Sequence, residues 1–200
     1  MKRALLAALI ALLPASAYAE QEFEVWTDYV RWGDQDETYL IFDYDGSYQN
    51  LRFGAEYTKA NWDGGSEDWA SFDVSWLSGG VIGPTLGVVL DDEGEYFSGG
   101  VAFEKKIGAT IFKGQIVTDL NDIGDYVAVG VRTESRISDS IALFSNTHYV
   151  VTRDDDDYVR VTAGGRYYFT EEIFGRAGVS IGSSDGEELV GLTVSLGVRY

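Results

Sequence analysis

Apolar and polar residues alternate along most of this chain. The last stretch shows it best: Val190, Leu192, Val194, Leu196, Val198 and Tyr200 fall on one face of an extended segment. Gly191, Thr193, Ser195, Gly197 and Arg199 fall on the other. Side chains alternate across a strand with period two, so the segment reads as one long strand, apolar on one side only. The same pattern recurs in twelve segments separated by short polar turns: residues 22–32, 37–45, 48–59, 68–78, 82–91, 95–105, 108–118, 125–135, 139–152, 157–169, 172–183 and 188–200. Those at 68–78, 125–135, 157–169 and 188–200 are the clearest, and the second, seventh and ninth are ambiguous in phase. Ten strands is the alternative count; eight would leave too much chain in loops. A spacing near 15 residues suits strands of about 9–11 residues plus a turn, the length that crosses a bilayer at a tilt. No run beyond the amino terminus is long and apolar enough for a spanning helix. Lipid leaves no unpaired backbone group satisfied, so a spanning protein without such helices must be a closed barrel. The expected fold is an all-β, closed, antiparallel transmembrane barrel of about twelve strands with short loops.

The amino terminus supplies an address. Lys2 and Arg3 precede an apolar stretch from Ala4 to Leu13, and Ala17-Tyr18-Ala19 is a small-residue cleavage site. Residues 1–19 therefore read as a secretory signal peptide, removed to leave a single barrel domain over 20–200. The carboxy-terminal strand, with Val194, Leu196, Val198 and the final aromatic Tyr200, resembles the closing strand of Gram-negative outer-membrane β-barrels. That resemblance implies the cell outer membrane as location. It also implies recognition by the barrel assembly machinery, with outer-membrane lipid and lipopolysaccharide as surroundings. The whole chain resembles the small porin-like barrels in its pattern of strands, with no specific family assigned.

Composition fits this picture. Tyr, Trp and Phe total 28, Gly is 24 and Cys is absent, so burial and sheet hydrogen bonds must hold the fold without disulfides. The net charge of −18 excludes nucleic acid as a partner, since phosphate binding needs a basic surface. The acids are not spread evenly. Alternate connections (Trp32–Glu37, Asn61–Asp68, Asp91–Glu95, Thr118–Asp125, Arg153–Asp157 and Ser183–Glu188) hold 20 of the 33 acidic residues. The other set carries Lys105, Lys106 and Arg136. An even-stranded barrel with both termini in the periplasm puts the acidic set outside. Aromatics near the strand ends read as two interfacial girdles: Trp32, Trp62, Trp69, Tyr96, Tyr126, Tyr149 and Tyr158 outside, and Tyr44, Tyr48, Trp76, Phe103, Tyr167, Phe169 and Tyr200 at the periplasmic end.

A soluble barrel of the lipocalin kind would put the apolar face inside. Twelve strands enclose more space than side chains readily fill, so the apolar face is expected to meet lipid. The inward residues are then Glu24, Asp28, Asp43, Arg52, Glu56, Asp73 and Glu104 from the first half, and Lys113, Arg132, Glu134, Arg160, Arg166, Arg176 and Arg199 from the second. One wall is acidic and the opposite wall basic. Arg132, Arg160, Arg166 and Arg176 facing Asp73, Glu104 and Glu56 are the expected constriction. Two readings stand: a transverse field around an open passage of roughly 5–10 Å, or interior salt bridges that plug the barrel. The first points to passive diffusion of small hydrophilic solutes; the second points to a non-conducting structural barrel.

No cofactor is expected. Asp154, Asp155, Asp156 and Asp157 are hard oxygen ligands that suit calcium or magnesium at the outer rim, although the segment lacks the glycine and glutamate of an EF-hand loop. An outer-leaflet lipid hydrolase using the single histidine, His148, is a third reading. It is weakened because Ser145 falls on the other face and no G-x-S-x-G occurs, although Ser180 stays open as a nucleophile. The chain is therefore expected not to be an enzyme. General porins are often trimers, but at this length a monomer is equally compatible, and the oligomeric state is open.

Overall fold

In a computed structural model the chain is described over residues 20–91, 94–121, 125–153, 157–184 and 186–200. Residues 1–19, expected to be a signal peptide, and Asp154, Asp155 and Asp156, expected at the outer rim, lie outside these residues. Twelve strands follow one another: β1 (Glu20–Trp32), β2 (Gln35–Tyr48), β3 (Leu51–Trp62), β4 (Gly65–Trp76), β5 (Ile82–Leu90), β6 (Glu95–Ile107), β7 (Thr110–Asp119), β8 (Tyr126–Arg136), β9 (Ile141–Thr152), β10 (Tyr158–Tyr168), β11 (Ile173–Ser184) and β12 (Glu187–Arg199). Each pairs antiparallel with its neighbours in sequence, and β1 pairs with β12, so the sheet closes with no free edge. Every strand lies within three residues of its expected bounds. The count is twelve, and the ten-stranded alternative falls.

The β1–β12 seam shows which face looks outward. Val190, Leu192, Val194 and Leu196 are 58–61% exposed, whereas Thr193 and Ser195 between them are 2% and 8% exposed. Apolar side chains cover the outside and polar ones turn inward, the reverse of a soluble barrel. That surface is stable only against lipid. Some hairpins are very tight: Gly33, at φ 51°, turns β1 into β2, a backbone region that glycine enters at little cost.

The periplasmic aromatic girdle is present. Tyr44, Tyr48, Trp76, Phe103, Tyr167, Phe169 and Tyr200 all share the outward phase. The outer girdle is not as expected. Trp32, Trp62, Trp69, Tyr96, Tyr126 and Tyr158 share the inward phase, and only Tyr149 of that group points out. Nearness to a strand end does not fix which face a residue takes; parity does. The inward-phase aromatics line the outer lumen instead, where Trp32 meets Tyr158 at 5.9 Å and Tyr39 meets Trp69 edge-on at 6.4 Å.

The interior is packed on one side. Ala142, Tyr168 and Phe174 form a buried apolar cluster near the periplasmic end. Glycines make room there. A Cβ on Gly197 would lie 2.2 Å from the Phe174 ring, and one on Gly164 would lie 2.1 Å from the Ala177 carbonyl oxygen. The Gly164→Val variant should therefore force β10 and β11 apart, with a cost of about 1–3 kcal/mol. A urea titration of the refolded protein in lipid vesicles measures it; an unchanged midpoint would mean the strands have slack at this level.

Candidate functional site: a charged lumen

Register places all fourteen expected lumen charges on the inner face. Glu24, Asp28, Asp43, Arg52, Glu56 and Asp73 come from β1–β4. Glu104, Lys113, Arg132 and Glu134 come from β6–β8. Arg160, Arg166, Arg176 and Arg199 come from β10–β12. Their pairing differs from expectation. Among the described residues, Arg132, Arg160, Arg166 and Arg176 make no ion pair with Asp73, Glu104 or Glu56.

Instead Arg132, Arg166 and Arg176 converge, with Arg199, on Glu22, an inward acid at the edge of the first expected strand. The Glu22 carboxylate accepts from Arg166 at 2.5 Å, Arg176 at 2.8 Å and Arg199 at 3.1 Å, and lies 3.6 Å from Arg132. Glu24 joins it, 3.0 Å from Arg176, and accepts a hydrogen bond from the Ser195 hydroxyl. Glu134 approaches Arg166 at 3.3 Å and accepts from the Tyr168 hydroxyl at 2.8 Å. Three carboxylates thus hold four guanidiniums. Arg166 and Arg176 are almost fully buried. Phe174 gives them a floor, its ring centroid 4.0 Å from the Arg166 guanidinium and 5.5 Å from that of Arg176. A planar, weakly hydrated guanidinium suits such a buried, stacked place better than an ammonium.

Two further groups complete the layer. Asp45, a further inward acid outside the expected set, lies 3.1 Å from Lys113 and 3.4 Å from Arg52. Lys113 is also 3.7 Å from Glu104. Since Asp45 is on β2 and Lys113 on β7, this pair spans the bore, as does Glu22–Arg132 between β1 and β8. Higher in the lumen, Arg160 donates to Asp28 at 2.6 Å and to Ser180 at 2.9 Å. On the periplasmic side of the layer opens a vestibule of about 600 Å³, lined by residues that include Glu22, Lys106, Arg136 and Arg199.

His148 faces inward, edge-on to Tyr158 at 5.8 Å. Ser145 faces outward and hydrogen-bonds Thr133 at 2.7 Å. The Ser180 hydroxyl is engaged by Arg160 and by Thr162, at 2.7 Å. Among the described residues no group of three or more His, Cys, Asp or Glu is disposed to hold a metal ion. Of the rim aspartates only Asp157 is described, and it accepts from the Tyr149 hydroxyl at 3.1 Å. Val194, Leu196 and Val198 share the outward face of β12, and the backbone of Tyr200, just past that strand, pairs with Gln21.

A closed twelve-stranded barrel, apolar outside and charged within, defines the architecture of a small porin-like outer-membrane barrel. No protein-family model and no curated protein matches this chain. Among solved structures it is similar to the NanC porin, with a TM-score of 0.64 at 12% identity, covering 86% of this chain and 98% of that one. It is similar to the KdgM porin in complex with disordered oligogalacturonate, with a TM-score of 0.58 at 9% identity, covering 86% and 97%. It also resembles the β domain of the Bordetella autotransporter BrkA, at 0.53 and 11% identity, covering 91% and 98%. At these identities the likeness is one of fold.

Proposed function

We propose that this chain is a channel in the outer membrane of a Gram-negative bacterium, passing small hydrophilic solutes by diffusion and catalysing no reaction. The observation that carries this reading is the inner face: polar and ionisable around the closed circumference, and open at its periplasmic end into a vestibule of about 600 Å³. An apolar solute would have to displace water from charged walls, whereas a hydrophilic one exchanges hydrogen bonds with them. The ion pairs Asp45–Lys113 and Glu22–Arg132 set the narrowest level. Residues 1–19 would direct export, and the outward face ending at Tyr200 would be read by the assembly machinery. Lipid and lipopolysaccharide would surround the barrel.

Single-channel recording of the refolded protein in a planar bilayer tests this reading. Discrete small steps are expected. Lys113→Gln frees Asp45 from the opposite wall and should enlarge them; a step size unmoved by that change would take the constriction away from this pair. The bridging of the bore also favours a second reading, a closed structural barrel tethered through divalent ions on Asp154–Asp157. It predicts no steps from folded protein, and loss of lipopolysaccharide association on chelation. An outer-leaflet hydrolase would need His148, and His148→Ala is expected to leave lipid turnover in vesicles unchanged.

A further inference from the structure

The lumen charges do not cancel evenly. Each of the seven bases between the mouths (Arg52, Lys113, Arg132, Arg160, Arg166, Arg176 and Arg199) has a carboxylate within 4 Å. Asp43, Glu56 and Asp73 have no ion pair among the described residues. Glu24, Asp43 and Glu56 stand side by side in register on β1, β2 and β3. Asp73 lies on β4, in register with Gly54 and Gly87, so nothing bulky stands beside it. The basic wall is neutralised by Glu22, Glu24, Asp28, Asp45 and Glu134, while the acidic wall keeps three carboxylates with no cation beside them, Glu56 accepting a hydrogen bond from the Thr58 hydroxyl at 2.8 Å.

Two independent features adjoin this wall. Tyr39 and Trp69 stand on the inner face of the same strands, outward of the carboxylates. Among the described residues, every guanidinium–ring contact falls on Trp26, Phe144, Tyr168 or Phe174, which leaves Tyr39 and Trp69 without one. Asp28, the register partner of Tyr39, is 4% exposed; its Oδ2 takes Arg160, but its Oδ1 has no hydrogen-bond partner. An ammonium group satisfies all three features at once. It offers several donors to carboxylate oxygens, relieves like charges held side by side, and is attracted to ring faces.

We propose that the wall formed by Asp43, Glu56 and Asp73, with Tyr39, Trp69 and Asp28 beside it, is a binding site for amine-bearing cationic solutes. This makes the channel cation-preferring. The proposal rests on the channel reading only for transport; the site itself does not require current to flow.

The test combines reversal potential under a potassium chloride gradient at pH 8 with calorimetric titration of spermidine into the folded, detergent-solubilised protein. The wild type should show a potential of cation-selective sign. Spermidine should bind and reduce the current, while citrate should not. The combined variant Asp43→Asn, Glu56→Gln, Asp73→Asn leaves every ion pair in place. It should keep its conductance steps, lose the cation preference and bind spermidine about tenfold more weakly, a change of about 1.4 kcal/mol. A wild type that conducts with no preference or an anionic one, or that binds no spermidine, overturns the proposal and leaves the channel intact. A barrel that binds spermidine through these three carboxylates but passes no current overturns the channel and leaves the site.

Discussion

Glu22→Gln should cost the barrel about 3 kcal/mol, the largest effect expected of any single lumen substitution. The reason is geometric. Glu22 is within 3.6 Å of four guanidinium groups, two of which, on Arg166 and Arg176, are almost wholly buried. Removing a charge from such a network leaves uncompensated cations out of water, and that penalty exceeds the value of the lost contact. Glu104→Gln is the matched control. Its carboxylate is 33% exposed and 3.7 Å from Lys113, so screening and water limit its contribution to less than about 1 kcal/mol. Urea midpoints in lipid vesicles compare the two. Equal shifts would mean that Glu24 and Glu134 hold the arginines unaided.

Leu192→Arg should be nearly as damaging for the opposite reason. Leu192 sits near the middle of β12 on the outer face, 58% exposed. A charge at the bilayer midplane of such a barrel costs about 2–4 kcal/mol, falling to about 0–1 near the interfaces. The adjacent Thr193 turns inward, so Thr193→Ser should cost far less. A small loss for Leu192→Arg measured in vesicles would move this level of β12 out of the hydrocarbon band.

The strand pattern was legible because alternation is a local signal. The twelve segments and the fourteen inward charges follow from period two once lipid is taken as the outside, although alternation left the phase of the second, seventh and ninth segments open. What period two does not carry is distance around the ring. Arg166 and Glu22 are 144 residues apart and on different strands, and only the curvature of the closed sheet brings them to 2.5 Å. Glu22 itself could have been found, since it shares phase with Glu24 and Asp28, but it stood at the edge of the predicted first strand. Asp45 stood at the last position of the second expected segment, which β2 in fact extends beyond to Tyr48. The outer aromatics were misplaced because proximity to a strand end says nothing of inward or outward, while their parity does.

The position of Glu22 also orders events in time. It is among the first residues of the barrel, yet its partners lie on β8 and on the last three strands, the most remote, Arg199, 177 residues downstream. Contacts of such separation come late, because the entropy of closing the intervening chain must be met first. Until β1 meets β12, Arg166 and Arg176 have no Glu22 or Glu24 to hold them and remain open to water. The cluster therefore acts as a latch that engages on closure, distinguishing a finished ring from an open sheet of the same twelve strands.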